Sequence, residues 1–288
     1  MKLHQPLIIL ILVSFVSLTA AAQQDGPPYA VKPLPPGGAP PRLPDGHVDM
    51  SGHWLPNGAG QGVSGRFGVD PAARGQFDPK VTPEERPSFQ PWAIEKMKSV
   101  SGTEAELAKS SVNCMPRGLP AIWLQNPYST VIVHTPKMMA QLYEVLNNWR
   151  LIHFDGRPVP KNPEPWFHGT PNPRWDGDTL VVESIGFDDR TWLDIHGFPH
   201  SADMRLEERY RRDSFDHIEY TFTIYDPKIY RAPWVSDKKG WRRMPENQVS
   251  YFGWKGFSGF LEGICAPVDE VDNFNKRIRD PAGLGVAR

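Results

Sequence analysis

From Ser129 onward the chain breaks into short apolar runs separated by turn residues, most of the gaps being too short to hold crossover helices. The runs are STVIVHT, AQLYEVL, RLIHF, DTLVVES, LEERYRR, HIEYTFTI, QVSYFGW and GFLEGIC. Parallel neighbours need a crossover of a dozen or more residues, so most of these runs must pair antiparallel. A long meander exposes two edges unless the sheet closes on itself. The predicted fold is therefore mainly β, an antiparallel lipocalin-like barrel, with a β-sandwich as the alternative.

The rest of the chain reads differently. Residues 1–22 carry Lys2, an apolar run Leu7–Val16 and the small-residue end Ala20-Ala21-Ala22, the layout of a secretory signal. The expectation is export, most simply to a bacterial periplasm, with no integral membrane segment because the run is short of the ~20 residues a span needs. Residues 23–45, QQDGPPYAVKPLPPGGAPPRLPD, read as an extended or mobile leader. Residues 46–288 are expected to form one β-rich domain, opening with irregular structure over 46–92 and a helix near Ala93–Ala108 that Ser101-Gly102 interrupts. GAGQGVSG at 58–65 lacks the flanking strand and helix of a phosphate cradle and reads as a loop.

Charge and cysteine content narrow the function classes. The formal net charge is −1, and removal of Lys2 with the signal makes it about −2, with both signs interspersed. Nothing in that pattern suits nucleic acid. Cys114 and Cys265 are the two cysteines. In an oxidising compartment they are expected to form a disulfide between the irregular N-terminal segment and the last strand, two buried thiols being the alternative.

The motifs DGHVDMSGHW, CMPRGLP, RLIHFDGRP, WDGDTLVVES, EERYRR and DPKIYRAPW, in this order over roughly residues 45–265, resemble a largely uncharacterised family of exported bacterial proteins. The resemblance implies a β-barrel-like fold and no particular reaction, so chemistry has to be read from the residues.

Ionisable groups concentrate between Trp166 and Arg212. Asp194, His196 and His200 fall within a few residues, and imidazole moves protons near neutral pH when a carboxylate fixes its tautomer. His196 or His200 is the expected base, Asp194 or Asp189 the orienter, and His168, Asp178 or Glu208 the acid. Gly197 and Pro199 exclude a helix there, so no i,i+4 metal motif applies. His196 and His200 with a third ligand from Asp178, His168 or Glu208 remain an alternative metal site, and structural loop histidines are the third reading.

Strand parity places the remaining candidates. In RLIHFDGRP, Leu151, His153 and Asp155 share one face, opposite Ile152 and Phe154. Asp155-Gly156 and Asp176-Gly177 are turn signals. His153 and Asp155 could instead enter a cavity, with Arg157 and Arg209 as anchors for an anionic group. Trp166, Trp175, Trp192 and Tyr230 are candidate apolar walls, Trp175 being also a candidate cap at the barrel end. In EERYRR, if the Leu206 face is internal, Glu208 becomes a carboxylate inside the barrel. The expectation is a cofactor-independent acid–base enzyme, a lyase, isomerase or hydrolase, acting on a small cyclic or aromatic molecule. The alternatives are a periplasmic barrel that binds a small ligand without changing it and an envelope interaction protein tethered by its leader.

Overall fold

The computed structural model of the chain describes residues 37–56, 87–100, 116–123, 129–144, 148–193, 198–244, 273 and 276–277. The elements are β1 (Gly52–Pro56), α1 (Pro91–Val100), β2 (Thr130–Thr135), β3 (Met138–Tyr143), β4 (Asn148–His153), β5 (Thr170–Asp176), β6 (Thr179–Ile185), β7 (Arg205–Ser214), β8 (His217–Tyr225), β9 (Trp234–Val235) and β10 (Lys239–Arg243). The strands join in the order β4-β3-β2-β1-β10-β8-β7-β6-β5, every pairing antiparallel, with β9 added on β8. The two ends of that order, β4 and β5, come into contact, which makes the sheet a nearly closed barrel.

Alternation decides which side chains fill it. On β7, Leu206, Glu208, Tyr210 and Arg212 are buried while Glu207, Arg209 and Arg211 lie on the outer face. On β8, Ile218, Tyr220, Phe222 and Ile224 are buried, opposite the more polar Glu219, Thr221 and Thr223. Each large apolar side chain buried this way stabilises the fold by ~1.5–3 kcal/mol. The internal Leu206 face, left open by the sequence, is thus settled.

Trp123 enters from residues 116–123 and stacks on Trp241 at 4.6 Å, while its edges meet Tyr143, Tyr210 and Tyr220. These partners come from β3, β7, β8 and β10, so one indole ties both halves of the sheet across the interior.

Besides the two-residue β9, three strands depart from the sequence-based layout. Gly52–Pro56 sits in the sheet between β2 and β10, where 46–92 was expected to be irregular. The charged stretch KGWRR forms β10, because Trp241 faces the core and Lys239 is buried against Asp237. TPNPRWD, absent from the predicted runs, forms β5. Its seven-pair ladder with β6 draws on the donors at alternate positions, so Pro171 and Pro173 fall on the side facing β4. The helix begins at Pro91, where a missing N–H costs nothing.

The end of the Pro/Gly-rich stretch is packed on the barrel rather than extended. The Gly37 amide donates to Asp216 at 3.0 Å, Phe215 N–H donates to the Gly38 carbonyl, and Arg42 pairs with Asp178. Arg212 then clamps the following residues: its guanidinium donates to the carbonyls of Asp49, Ser51, Ser214 and Phe215 and lies over the Trp54 ring. Burial lowers its pKa to about 10, so it stays charged at neutral pH. QVSYFGW, GFLEGIC, Cys114, Cys265 and the 58–65 stretch lie outside the described residues. No described helix is long and apolar enough to cross a membrane.

Candidate functional site at the barrel seam

At Pro171 and Pro173 the edge of β5 has no N–H to donate to β4, and two cavities open along the seam between the strands. The first, of about 540 Å³, is lined by Asn148, Trp149, Arg150 and Leu151 of β4, by Pro116, and by residues 166–169 and Pro171. Trp149 and Trp166 are 61% and 60% exposed, an unusual state for two indoles beside one cavity. The second, of about 460 Å³, continues along the seam and shares Leu151 and Pro171 with the first.

The first cavity reaches the charged centre of the barrel through Arg150. This residue shares parity with Ile152 and so points inward, where its guanidinium meets Glu208 at 2.7 Å and Ser184 Oγ at 2.7 Å. Glu208 also accepts hydrogen bonds from Tyr210 at 2.6 Å and Tyr220 at 3.0 Å. Gln141 extends the network, accepting from Tyr143 and donating to Tyr210. Burial raises the pKa of all three tyrosines, so they remain hydroxyl donors. Glu208, acceptor to three donors, holds Arg150 in place. The Arg150 Nε has no hydrogen-bond partner among the described residues.

His168 forms part of the same wall. Its Nε2 lies 3.1 Å from the Arg117 carbonyl and its ring meets Tyr143 edge-on at 5.7 Å. Burial first, then the Arg150 charge, lowers its pKa to about 4, outweighing the backbone carbonyls that favour protonation. The ring is neutral at neutral pH.

The other predicted residues scatter. His200 is sealed in the core, its Nδ1 3.2 Å from the Ser201 carbonyl and its Nε2 3.0 Å from Thr191 Oγ1; burial pushes its pKa down. Because the carbonyl can only accept, Nδ1 carries the proton and Nε2 accepts from Thr191. His200 lines neither seam cavity. Asp194 and His196 lie outside the described residues. Asp178 is exposed in the β5–β6 turn and paired in fork geometry with Arg42. Arg209 is on the outer face, bound to Asp176 and Glu207, and not in the barrel. Tyr230 is buried against Phe89 and Trp234, and its hydroxyl donates to the Pro199 carbonyl. Trp192 is half-buried away from both cavities.

The second cavity gathers His153, Arg157 and Trp175, with Asp45, His47, Phe154, Asn172 and Arg174. Trp175 closes one end by stacking on His47 at 4.6 Å, with Phe154 and His134 farther along the same stack. Asp155 is exposed in its turn, where it accepts from the Arg157 backbone and side chain. Among the described residues no group of three or more His, Cys, Asp or Glu side chains could hold a metal ion.

Sequence parity alone could have found Arg150. It stands with Ile152 and Phe154 on the apolar face of NWRLIHF, where an arginine must meet a buried anion. Trp149, Phe167, Ser184 and Tyr220 carried no comparable signal, since each reads as ordinary strand or core. In comparisons with known proteins the chain matches no family model, no curated protein and no solved structure.

Proposed function

We propose that this is an exported protein that binds a small planar molecule, cyclic or aromatic, in the first seam cavity. The observation that carries the reading is an aromatic-walled cavity of about 540 Å³ whose lining includes Arg150, a residue held in place by Glu208. Trp149, Trp166 and Phe167 supply flat apolar contact, and Arg150, immobilised by Glu208 and Ser184, supplies a pre-set donor for one acceptor atom of the ligand. The signal-like residues 1–22 support export to a periplasm.

The neutral probe N-phenyl-1-naphthylamine tests this. Its fluorescence should rise on binding, and Trp149→Ala and Trp166→Ala should each weaken it by about tenfold while leaving the thermal midpoint unchanged, because both side chains are exposed. No binding, or binding indifferent to both changes, would refute the reading.

The same wall favours a second reading, in which the bound molecule is turned over. A neutral His168 can accept a proton from carbon, and Arg150 beside it would stabilise the resulting enolate oxygen. Deuterium from solvent should then enter the methyl group of 2-acetonaphthone, and His168→Gln should abolish the exchange. Exchange at the uncatalysed rate would leave binding as the function.

A further inference from the structure

The two seam cavities form one elongated site, and we infer that its ligand is an amphiphile with a flat apolar body at one end and an anionic group at the other. This rests on the binding reading above and extends it along the seam. Leu151 and Pro171 line both cavities, so the two meet at a shared waist between β4 and β5. The six residues of β4 span about 20 Å at ~3.3 Å per residue, a length that suits an aryl group joined to a chain and exceeds a single fused-ring system.

The two ends differ in chemistry. The first is walled by Trp149, Trp166 and Phe167, and its one guanidinium is neutralised by Glu208. The second presents Arg157 and Arg174 with His47 and His153, against the single carboxylate of Asp45 in its lining. The Arg174 side chain makes no hydrogen bond among the described residues and is held only by a long ion pair of 3.9 Å to Glu207 on the outer face. Arg157 engages Asp155 through Nε and Nη2, which leaves Nη1 for another acceptor. Two guanidiniums with unspent donors at the rim of one cavity match a carboxylate, sulfate or phosphate group.

Three fluorescent probes separate the possibilities: 11-(dansylamino)undecanoic acid, its uncharged methyl ester, and N-phenyl-1-naphthylamine, which fills only the first cavity. The acid should bind about tenfold tighter than the ester at low ionic strength. The double variant Arg157→Gln/Arg174→Gln should erase that difference and leave ester and naphthylamine affinities as they were. Equal affinity for acid and ester in the unmodified protein, or a preference that survives the double variant, overturns the inference while the binding reading stands. Failure of all three probes to bind overturns both.

Discussion

Arg150 on β4 and Glu208 on β7 meet at 2.7 Å across the barrel, and their side chains are 2% and 0% exposed. Separating such a pair is costly because the remaining charge stays buried without compensation. Glu208→Gln should therefore destabilise the fold by about 3–5 kcal/mol in denaturant titration. The double change Arg150→Met/Glu208→Leu should recover most of that loss. A Glu208→Gln midpoint equal to the wild type would show that the pair does not brace the seam.

Acid should loosen the same region through His168. The unfolded ring titrates near 6.5 and the folded one near 4. Between those values the unfolded chain binds a proton that the folded chain refuses, so stability falls as pH drops through this window and levels off below it. The loss from this group is on the order of 3 kcal/mol. His168→Asn should flatten the slope of thermal midpoint against pH over this range. His53, also held near 4 by burial, should retain its own share of the slope.

Two glycines with positive φ should respond unequally to alanine. Gly177, at φ +58 in the β5–β6 turn, has open space around it, so Gly177→Ala carries only the backbone cost of about 1 kcal/mol. At Gly169, φ +61, an added Cβ would lie 2.8 Å from the Phe187 ring and 3.1 Å from the Ile185 carbonyl. Gly169→Ala should be the more damaging by chemical denaturation and should weaken naphthylamine binding, since Gly169 lines the first cavity. Equal losses would contradict the crowding.

Supplying donors to the seam should close it. Pro171→Val/Pro173→Val adds two N–H groups facing β4, and the expected result is protection of both new amides from hydrogen exchange together with weaker probe binding. Rapid exchange at both would show that something other than the prolines keeps the strands apart.

Strands with unbroken alternation were legible from sequence. Leu206 to Arg212 and Ile218 to Ile224 carry a period of two that survives any tertiary context, and the same parity grouped Glu208 with Leu206 and Tyr210 while leaving open which face was internal. β5 was hidden because Pro171 and Pro173 mimic a loop, a disguise that ends only when the partner strand shows which edge they occupy. β10 was hidden because Lys239 is buried against the local, easily overlooked Asp237. His200 shows a different limit: closeness in sequence says nothing about depth, and His200 is sealed by Thr191 and Ser201 while the more distant His168 reaches a cavity.

The prolines of β5 also bear on how the protein behaves among its neighbours. A barrel that stops short of closure presents a strand edge, and such edges recruit strands from other chains into growing sheets. Pro171 and Pro173 remove two of the donors an incoming strand would need along that edge, which makes the seam a poor template for one.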